Sequence, residues 1–168
     1  LFLDELHEEF QKVRDNSKKL REFHEKLGSL KFLDPACGCG NFLIITYREL
    51  RLLELEVLKK LYGNQQALGI DQIMLVDVDQ FFGIELDEFA ARIAEVAMWL
   101  IDHQMNLKVS EAYGFYYSRL PLKKSATIVQ GNALRIDWQG IIDKSKVSYI
   151  IGNPPFYGKQ YQTKQQQI

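Results

Sequence analysis

The chain has 168 residues, of which 46% are hydrophobic and 26% charged, and this composition excludes a disordered or collagen-like protein. No apolar run reaches the about 20 residues of a membrane span, and no signal-peptide pattern opens the sequence, so we expect no membrane partner and a cytoplasmic location. Cys37 and Cys39 are separated by one residue. This spacing excludes a disulfide framework and fits a reducing compartment.

The formal net charge of −1 lacks the basic signature of a nucleic-acid-binding domain. The charge is uneven, because residues 1–110 hold 13 Lys and Arg against 19 Asp and Glu, whereas residues 111–168 hold 8 against 3. This asymmetry is either surface decoration or a C-terminal part that faces an anion such as a phosphate backbone. The start at Leu1 and the Gln-rich end lead us to expect a piece of a longer protein.

Residues 1–28 are predicted to be helical, because apolar residues recur there every three or four positions. A break is expected at Asn16-Ser17 and a helix stop at Gly28. His7 and His24 are expected to be surface residues. We expect 1–28 to form an N-terminal helical segment and 29–168 to form a separate, partial domain.

Residues 30–34 are predicted to form a buried strand, which leads through the small-residue turn 35–40 into a helix over about 42–61. Strand, glycine loop and helix in this order are typical of the start of a βαβ unit. Residues 73–78 are ambiguous, since they fit either an extra strand or an insertion between the helix and the next strand.

A second strand is predicted at 81–85, followed by a helix that Asp87 caps and that runs to about Asn106. Three large apolar side chains of this helix are expected to serve packing: Met98, Trp99 and Met105. Residues 110–124 are expected to be an aromatic, basic loop. Two further strands are predicted at 126–130 and 147–151, which gives an α/β domain with a mainly parallel sheet.

Chemically distinctive residues follow each of the four predicted strands. Asp34 with its glycine loop follows the first, Glu85 ends the second, Asn132 follows the third and Asn153 the fourth. Ligands of open α/β sheets bind beyond the carboxyl ends of the strands, so we expect these residues to meet in one pocket. Glycine in the loop allows close backbone approach to a ligand, and a carboxylate at Glu85 can accept both hydroxyls of a ribose.

This pocket does not fit a dinucleotide or a metal. Leu43 stands where a dinucleotide fingerprint has its third glycine, and Glu85 lies much further along the chain than the expected about 20 residues. A nucleoside cofactor without phosphates fits better. Cys37 and Cys39 have no second cysteine pair, so we expect no metal site.

Two stretches carry a clear resemblance. Phe32-Leu-Asp-Pro-Ala-Cys-Gly-Cys-Gly-Asn-Phe42 resembles the first motif of S-adenosylmethionine-dependent DNA methyltransferases, and Gly152-Asn-Pro-Pro-Phe156 resembles the catalytic motif of amino-methyltransferases. The order of the two motifs is similar to that in adenine-N6 methyltransferases of the gamma arrangement. The sequence of residues 30–53 and 83–87 is similar to that of the MmeI-like branch of Type IIG restriction–modification enzymes. The resemblance implies a partial class I methyltransferase fold, a Rossmann-like doubly wound sheet.

The resemblance also implies the ligands and the site. The cofactor is S-adenosyl-L-methionine, and the partner is double-stranded DNA, reached through the full-length protein. Implied catalytic residues are Asn153, Pro154, Pro155 and Phe156. Implied cofactor-binding residues are Asp34, Pro35, Ala36, Cys37, Gly38, Gly40, Asn41, Phe42, Glu85, Leu86, Asn132, Ala133 and Asn153.

Two alternatives remain open at this point. Asn-Pro-Pro-aromatic motifs also occur in methyltransferases that act on protein glutamine or on RNA, although the Asp-Pro-Ala-Cys-Gly opening favours DNA. The second alternative is a catalytically incompetent cofactor-binding module, since a complete fold of this family needs about three more strands and a target-recognition domain. We therefore expect no methylation by these 168 residues alone, and an open sheet edge that favours self-association.

Overall fold

The computed structural model describes residues 2–63, 73–114 and 125–154. In these ranges, four helices and four strands form one α/β unit. The helices are α1 (Phe2–Val13), α2 (Ser17–Ser29), α3 (Asn41–Tyr62) and α4 (Glu88–Tyr113). The strands are β1 (Phe32–Asp34), β2 (Phe81–Glu85), β3 (Thr127–Gln130) and β4 (Tyr149–Ile150), and short 3₁₀ turns lie at Val78–Gln80 and Trp138–Gly140.

The four strands form a parallel sheet in the order β3-β2-β1-β4. The chain starts near the middle at β1, adds β2 and β3 on one side, and then crosses to add β4 on the other. The boundary between β1 and β4 is thus the topological switch point, where open α/β sheets bind their ligands. The predicted fold class, a mainly parallel α/β sheet behind N-terminal helices, is confirmed.

The sheet is covered on both faces, because alternate residues of a strand point to opposite sides. Phe32 and Phe81 stack at a ring-centroid distance of 5.0 Å within the main core, which also contains buried residues of all four helices. Their neighbours Leu33 and Ile84 point the other way and pack with Ile142. Helices α1 and α2 share the main core with the sheet, so the segment 1–28 is tightly packed on the rest of the chain.

The predicted break in the N-terminal helical segment is confirmed, because the Asn16 side chain accepts a hydrogen bond from Lys19 N at 3.1 Å and caps α2. The predicted stop at Gly28 is wrong. Helix α2 continues to Ser29, and a Cβ built on Gly28 would lie 2.6 Å from the Cβ of Leu75. Glycine is needed here for close packing between segments and not for ending a helix.

The surface placement of His24 is also wrong, whereas His7 is exposed as predicted. His24 is buried, and its Nε2 lies 2.9 Å from Glu54 Oε1. That oxygen also accepts the backbone N–H groups of Leu75 and Val76. The histidine therefore joins α2 to α3 in a buried polar network that includes Arg51, which is 0% exposed.

Helix α4 is longer than predicted. It ends at Tyr113 with Gly114 in the left-handed conformation, so residues 110–113 are helical and not part of a loop. The rest of that predicted loop, 115–124, lies outside the described residues. Met98 and Met105 are buried as predicted, but Trp99 is 44% exposed and is not a core residue. Residues 73–78 contain no strand in the described part of the chain, where Asp77 instead caps a 3₁₀ turn.

Candidate functional site

The carboxyl ends of β1, β2 and β3 bring the predicted residues to one edge of the sheet. Asp34 is the last residue of β1 and pairs in register with Gly83, two residues before Glu85 at the end of β2. Glu85 pairs with Gln130, and its carbonyl oxygen accepts the N–H of Gly131 at 2.8 Å. The next residue, Asn132, therefore also starts from this edge.

The glycine loop after β1 is held against β2 by backbone hydrogen bonds. Cys37 N donates to Ile84 O at 3.0 Å, and Gly40 N donates to Cys37 O at 2.8 Å. Gly38 and Gly40 have φ values of 54° and 85°, which side chains disfavour. The local sequence therefore needs glycine at both positions to turn from the strand into α3.

The two loop glycines face different surroundings. A Cβ on Gly40 would lie 3.2 Å from the Cβ of Ala94, so this glycine lets α4 approach the loop. A Cβ on Gly38 would meet nothing within 4 Å. This open space allows a ligand to approach the backbone at Gly38 closely, as the first motif predicts.

The Glu85 carboxylate fastens the loop to the end of β2. Its Oε2 accepts the Gly38 N–H at 2.8 Å, and its Oε1 accepts the Asp87 N–H at 3.0 Å. Each carboxylate oxygen has a second lone pair. The side chain is partly exposed, so it keeps the capacity to accept hydroxyl donors while it orders both neighbouring segments.

Asp34 is a buried residue at the same edge of the sheet. It is 1% exposed, and its Oδ1 accepts the Ala36 N–H at 3.0 Å. Burial, and in second place the negative charge of Glu85, raise the pKa of Asp34 against the lowering effect of that hydrogen bond. Neither carboxylate takes part in an ion pair with a described Lys, Arg or His.

This donor set fits S-adenosylmethionine in two respects. Two carboxylates without a cationic partner among the described residues produce a negative potential that favours a cationic ligand, and this cofactor carries an ammonium and a sulfonium group. The open space at Gly38 leaves room for it beside Glu85, whose oxygens are the acceptors that ribose hydroxyls need.

The fourth strand brings Gly152, which directly precedes Asn153 and Pro154, to Asp34. Ile151 N donates to Leu33 O at 2.9 Å, which continues the pairing of β4 with β1. A Cβ built on Gly152 would lie only 2.6 Å from Asp34 Oδ1. Asn153 and Pro154 follow directly and are exposed, whereas Pro155 and Phe156 lie outside the described residues.

Asn132 and Ala133 form a tight turn at the end of β3. The Asn132 side-chain oxygen accepts the Leu134 N–H at 3.0 Å, so the amide nitrogen is the group that would donate to a ligand. The Ala133 carbonyl accepts the Trp138 indole N–H at 2.7 Å, which fixes the turn on the rest of the domain.

The remaining predicted cofactor residues divide into exposed and buried positions. Leu86 is 67% and Phe42 46% exposed at this edge, and Asn41 is also exposed at the start of α3. Pro35 is partly buried. Cys37 is buried, and burial, with Asp34 and Glu85 in addition, raises its pKa to about 12, so it is a packing residue and not a nucleophile.

Sequence reasoning missed two glycines that shape the site. A Cβ on Gly83 would lie 2.8 Å from Cys37 Sγ, so this strand glycine makes room for the loop. Gly152 plays the same part for Asp34. Both glycines lie inside the quoted motifs, but periodicity alone cannot indicate which distant side chain approaches them.

No group of three or more His, Cys, Asp or Glu side chains in residues 2–63, 73–114 and 125–154 is placed to hold a metal ion. No helix in these ranges is sufficiently long and apolar to cross a membrane.

Comparison with known proteins gives a consistent result. The family model described as "MmeI, DNA-methyltransferase domain" matches residues 10–168. DNA methyltransferase A of Bacillus subtilis (strain 168) is 39% identical over 169 residues, which cover 98% of this chain and 19% of that protein. The adenine-specific methyltransferase BrxX of Escherichia coli O9:H4 (strain HS) is 31% identical over 81 residues, or 48% of this chain and 6% of BrxX.

A solved structure agrees with these sequence matches. The structure of the Type IIL restriction–modification enzyme MmeI in complex with DNA is 58% identical and superposes with a TM-score of 0.93. The match covers 98% of this chain and 22% of the MmeI chain. The chain therefore spans about one fifth of the length of DNA methyltransferase A and of the MmeI chain.

Proposed function

The chain belongs to the family of MmeI DNA-methyltransferase domains, and we propose that it forms the cofactor site and the start of the catalytic loop of a restriction–modification enzyme that methylates adenine N6 in DNA. One observation supports this proposal most strongly. Asp34, Glu85 and the Gly152-Asn153 segment lie at one edge of the sheet, beside the switch point between β1 and β4.

The proposed cofactor is S-adenosylmethionine, which supplies an electrophilic methyl group on a cationic sulfur. The buried carboxylate of Asp34 and the loop at Gly38 and Gly40 would surround its methionine part. Glu85 would accept the ribose hydroxyls. The Asn132 amide nitrogen would donate to the adenine ring, with Leu86 and Ala133 beside it.

Asn153 and Pro154 would position the target amino group. The lone pair of an exocyclic amino group is delocalised into the purine, which makes it a poor nucleophile. Acceptance of its two N–H bonds by the Asn153 side-chain oxygen and the Pro154 carbonyl would draw the nitrogen toward a tetrahedral geometry and direct its lone pair. The nitrogen gains the methyl group and releases one proton to solvent. No general base with a raised pKa is required.

The target adenine must leave the duplex to reach this edge of the sheet. Phe156 would stack on the flipped base, an interaction worth about 1–3 kcal/mol. Pro155 would stiffen the segment that carries these groups. The DNA contacts that select the sequence would lie in the remainder of the full-length protein, which acts on DNA in the cytoplasm, so we propose that residues 1–168 alone bind cofactor without turnover.

Calorimetric titration with S-adenosylmethionine and S-adenosylhomocysteine tests the cofactor site. Glu85→Ala removes the acceptor of two backbone N–H groups and of the ribose, and a lost hydrogen bond to a charged group costs about 1.5–3 kcal/mol, so affinity should fall about 10- to 100-fold. Glu85→Gln keeps one acceptor oxygen, so its affinity for the cofactor should lie between that of the unchanged chain and that of Glu85→Ala.

The matched control is Glu95→Ala on the surface of α4, where the salt bridge of Glu95 among the described residues is with Arg92. It should bind as the unchanged chain does. If the folded chain does not bind either compound, or if Glu85→Ala and Glu95→Ala behave alike, the proposed cofactor site is wrong. A methyl-transfer assay with labelled cofactor on DNA, RNA and protein, run on the full-length protein, then tests the substrate. Label in protein or RNA alone would contradict the assignment to DNA.

A further inference from the structure

Helix α4 carries apolar side chains on two opposite faces. Its inner face packs in the core through Ala91, Ala94, Met98, Met105 and Val109, among others. At 100° per residue, a second apolar row lies on the far side of the helix. We call this row the outer stripe, and it consists of Phe89, Ile93, Val96, Leu100 and Leu107.

The outer stripe is exposed along its whole length. Phe89 is 76% exposed, Val96 56%, Leu100 46% and Leu107 40%, and Ile93 is 36% exposed. Spacings of four and three residues alternate along it, with His103 at the position between Leu100 and Leu107. Apolar residues with alternating spacings of this kind form the seam along which one helix packs against another.

An amphipathic surface helix normally has one apolar face, which packs on the core, whereas α4 has a second apolar row that faces away from it. The stripe spans about 27 Å, because residues 89 to 107 rise about 1.5 Å each. Contiguous exposed apolar surface of this extent marks an interaction site in a water-soluble domain. Scattered single apolar residues would need no such explanation.

The chemistry beside the stripe restricts the partner. Charged residues on both sides have mixed signs, with Glu88, Glu95 and Glu111 against Arg92 and Lys108. A phosphate backbone requires clustered positive charge, which the described residues beside the stripe do not provide. A second amphipathic helix, with apolar residues at the same spacing and mixed charges at its edges, fits the surface.

The lengths of the relatives leave room for such a helix in the same polypeptide. This chain covers 19% of DNA methyltransferase A and 22% of the MmeI chain, so about four fifths of each protein lies outside the matched unit. We propose that the outer stripe of α4 is the docking surface for an amphipathic helix that lies in the same polypeptide outside residues 1–168. The proposal does not depend on the cofactor or on adenine as the substrate.

Hydroxyl-radical footprinting with residue-resolved mass spectrometry tests this proposal. It compares the 168-residue chain with the longer protein that contains it. Oxidation of Phe89 and Leu100 should fall about fivefold or more in the longer protein, since a docked helix excludes water from the seam. Tyr62 on α3 is 37% exposed and serves as the control, with similar oxidation in both proteins.

Two charge variants make the test independent of footprinting. Val96→Glu should leave the melting temperature of the short chain unchanged and lower that of the longer protein, whereas Lys18→Glu on the exposed surface of α2 should change neither. If the stripe is oxidised equally in both proteins and the short chain is monomeric by sedimentation, the proposal is overturned. A short chain that dimerises through the stripe, together with a longer protein in which the stripe stays reactive, would make a second copy the partner instead.

Discussion

Replacement of Gly152 by alanine is the sharpest test of how the two halves of the site are joined. The new Cβ would lie 2.6 Å from Asp34 Oδ1, closer than real Cβ contacts, and 3.1 Å from its Cγ, which is also tight. Asp34 is 1% exposed and accepts the Ala36 N–H, so its carboxylate has little room to move away. Gly152 also has a φ of 150°, which L residues rarely adopt.

These two effects set the magnitude. Overpacking of a filled site costs about 1–3 kcal/mol, and an unfavourable backbone conformation adds of order 1 kcal/mol. We expect Gly152→Ala to lower the free energy of unfolding by about 2–4 kcal/mol, the sum of those two ranges. Gly140→Ala is the matched control, because a Cβ there meets nothing within 4 Å and should change stability little.

A double-mutant cycle separates this contact from a general disturbance of the loop. In an Asp34→Ala background the carboxylate is gone, so Gly152→Ala should cost much less than in the unchanged chain. Urea unfolding of the four proteins gives the coupling energy directly. Independent sites add to within about 0.5 kcal/mol, so additive losses would refute a direct Asp34–Gly152 contact. A Gly152→Ala chain as stable as Gly140→Ala would refute it as well.

Three further predictions concern the thiols, the buried network and pH. Cys37, with its pKa raised to about 12, should be alkylated about 100-fold more slowly at neutral pH than exposed Cys39, and peptide mapping that finds equal labelling would contradict its burial. Glu54→Ala removes the buried oxygen that accepts His24 and the backbone N–H groups of Leu75 and Val76, so urea unfolding should show a loss of about 3–5 kcal/mol, and a loss below about 1 kcal/mol would show that this network contributes little. Because burial raises the pKa of Asp34, its carboxylate is protonated earlier as the pH falls from neutrality, and calorimetric affinity for S-adenosylmethionine should fall with it. S-adenosylhomocysteine, which lacks the sulfonium charge, should lose less affinity, and equal losses would contradict an electrostatic role.

The regular elements of the fold could be predicted because local chemistry specifies them. The short apolar run before Pro35 predicts β1, and the long apolar period beyond the glycine loop predicts α3, which the structure has at Asn41–Tyr62. Asp87 was predicted to cap the next helix, and its side chain accepts the Ala90 N–H at 2.8 Å. Each of these signals lies within a few residues of the element that it predicts.

The errors have a common physical origin, since each depends on a partner far along the chain. His24 occupies a position on the apolar stripe of α2 and is buried because Glu54, 30 residues away, accepts its hydrogen bond. Gly28 resembles a helix stop in sequence, but glycine is needed there because a Cβ would be too close to Leu75. Helix α4 continues through a polar, aromatic stretch because Tyr113 reaches buried surface at its end. Periodicity contains no information about such contacts.

The same limit applies within the site. The sequence indicates which strand ends carry chemical groups, and parallel pairing explains why Asp34 and Glu85 meet. It does not indicate that Glu85 binds the glycine loop through Gly38 N, nor that Asp34 fills the space beside Gly152. These two contacts hold the glycine loop against the end of β2 and the Gly152 segment against Asp34.

Helix α4 connects the site to the outer stripe. The Asp87 N–H donates to Glu85, and the Asp87 side chain caps the helix, so α4 begins at the carboxylate that would hold the ribose. Phe89, the first residue of the outer stripe, lies in the first turn of that helix. A helix docked along the stripe would therefore restrain the same turn that positions Glu85. For this reason we expect the 168-residue chain to bind the cofactor more weakly than the longer protein does, and to lose less affinity than the longer protein when Val96→Glu disrupts the docking surface.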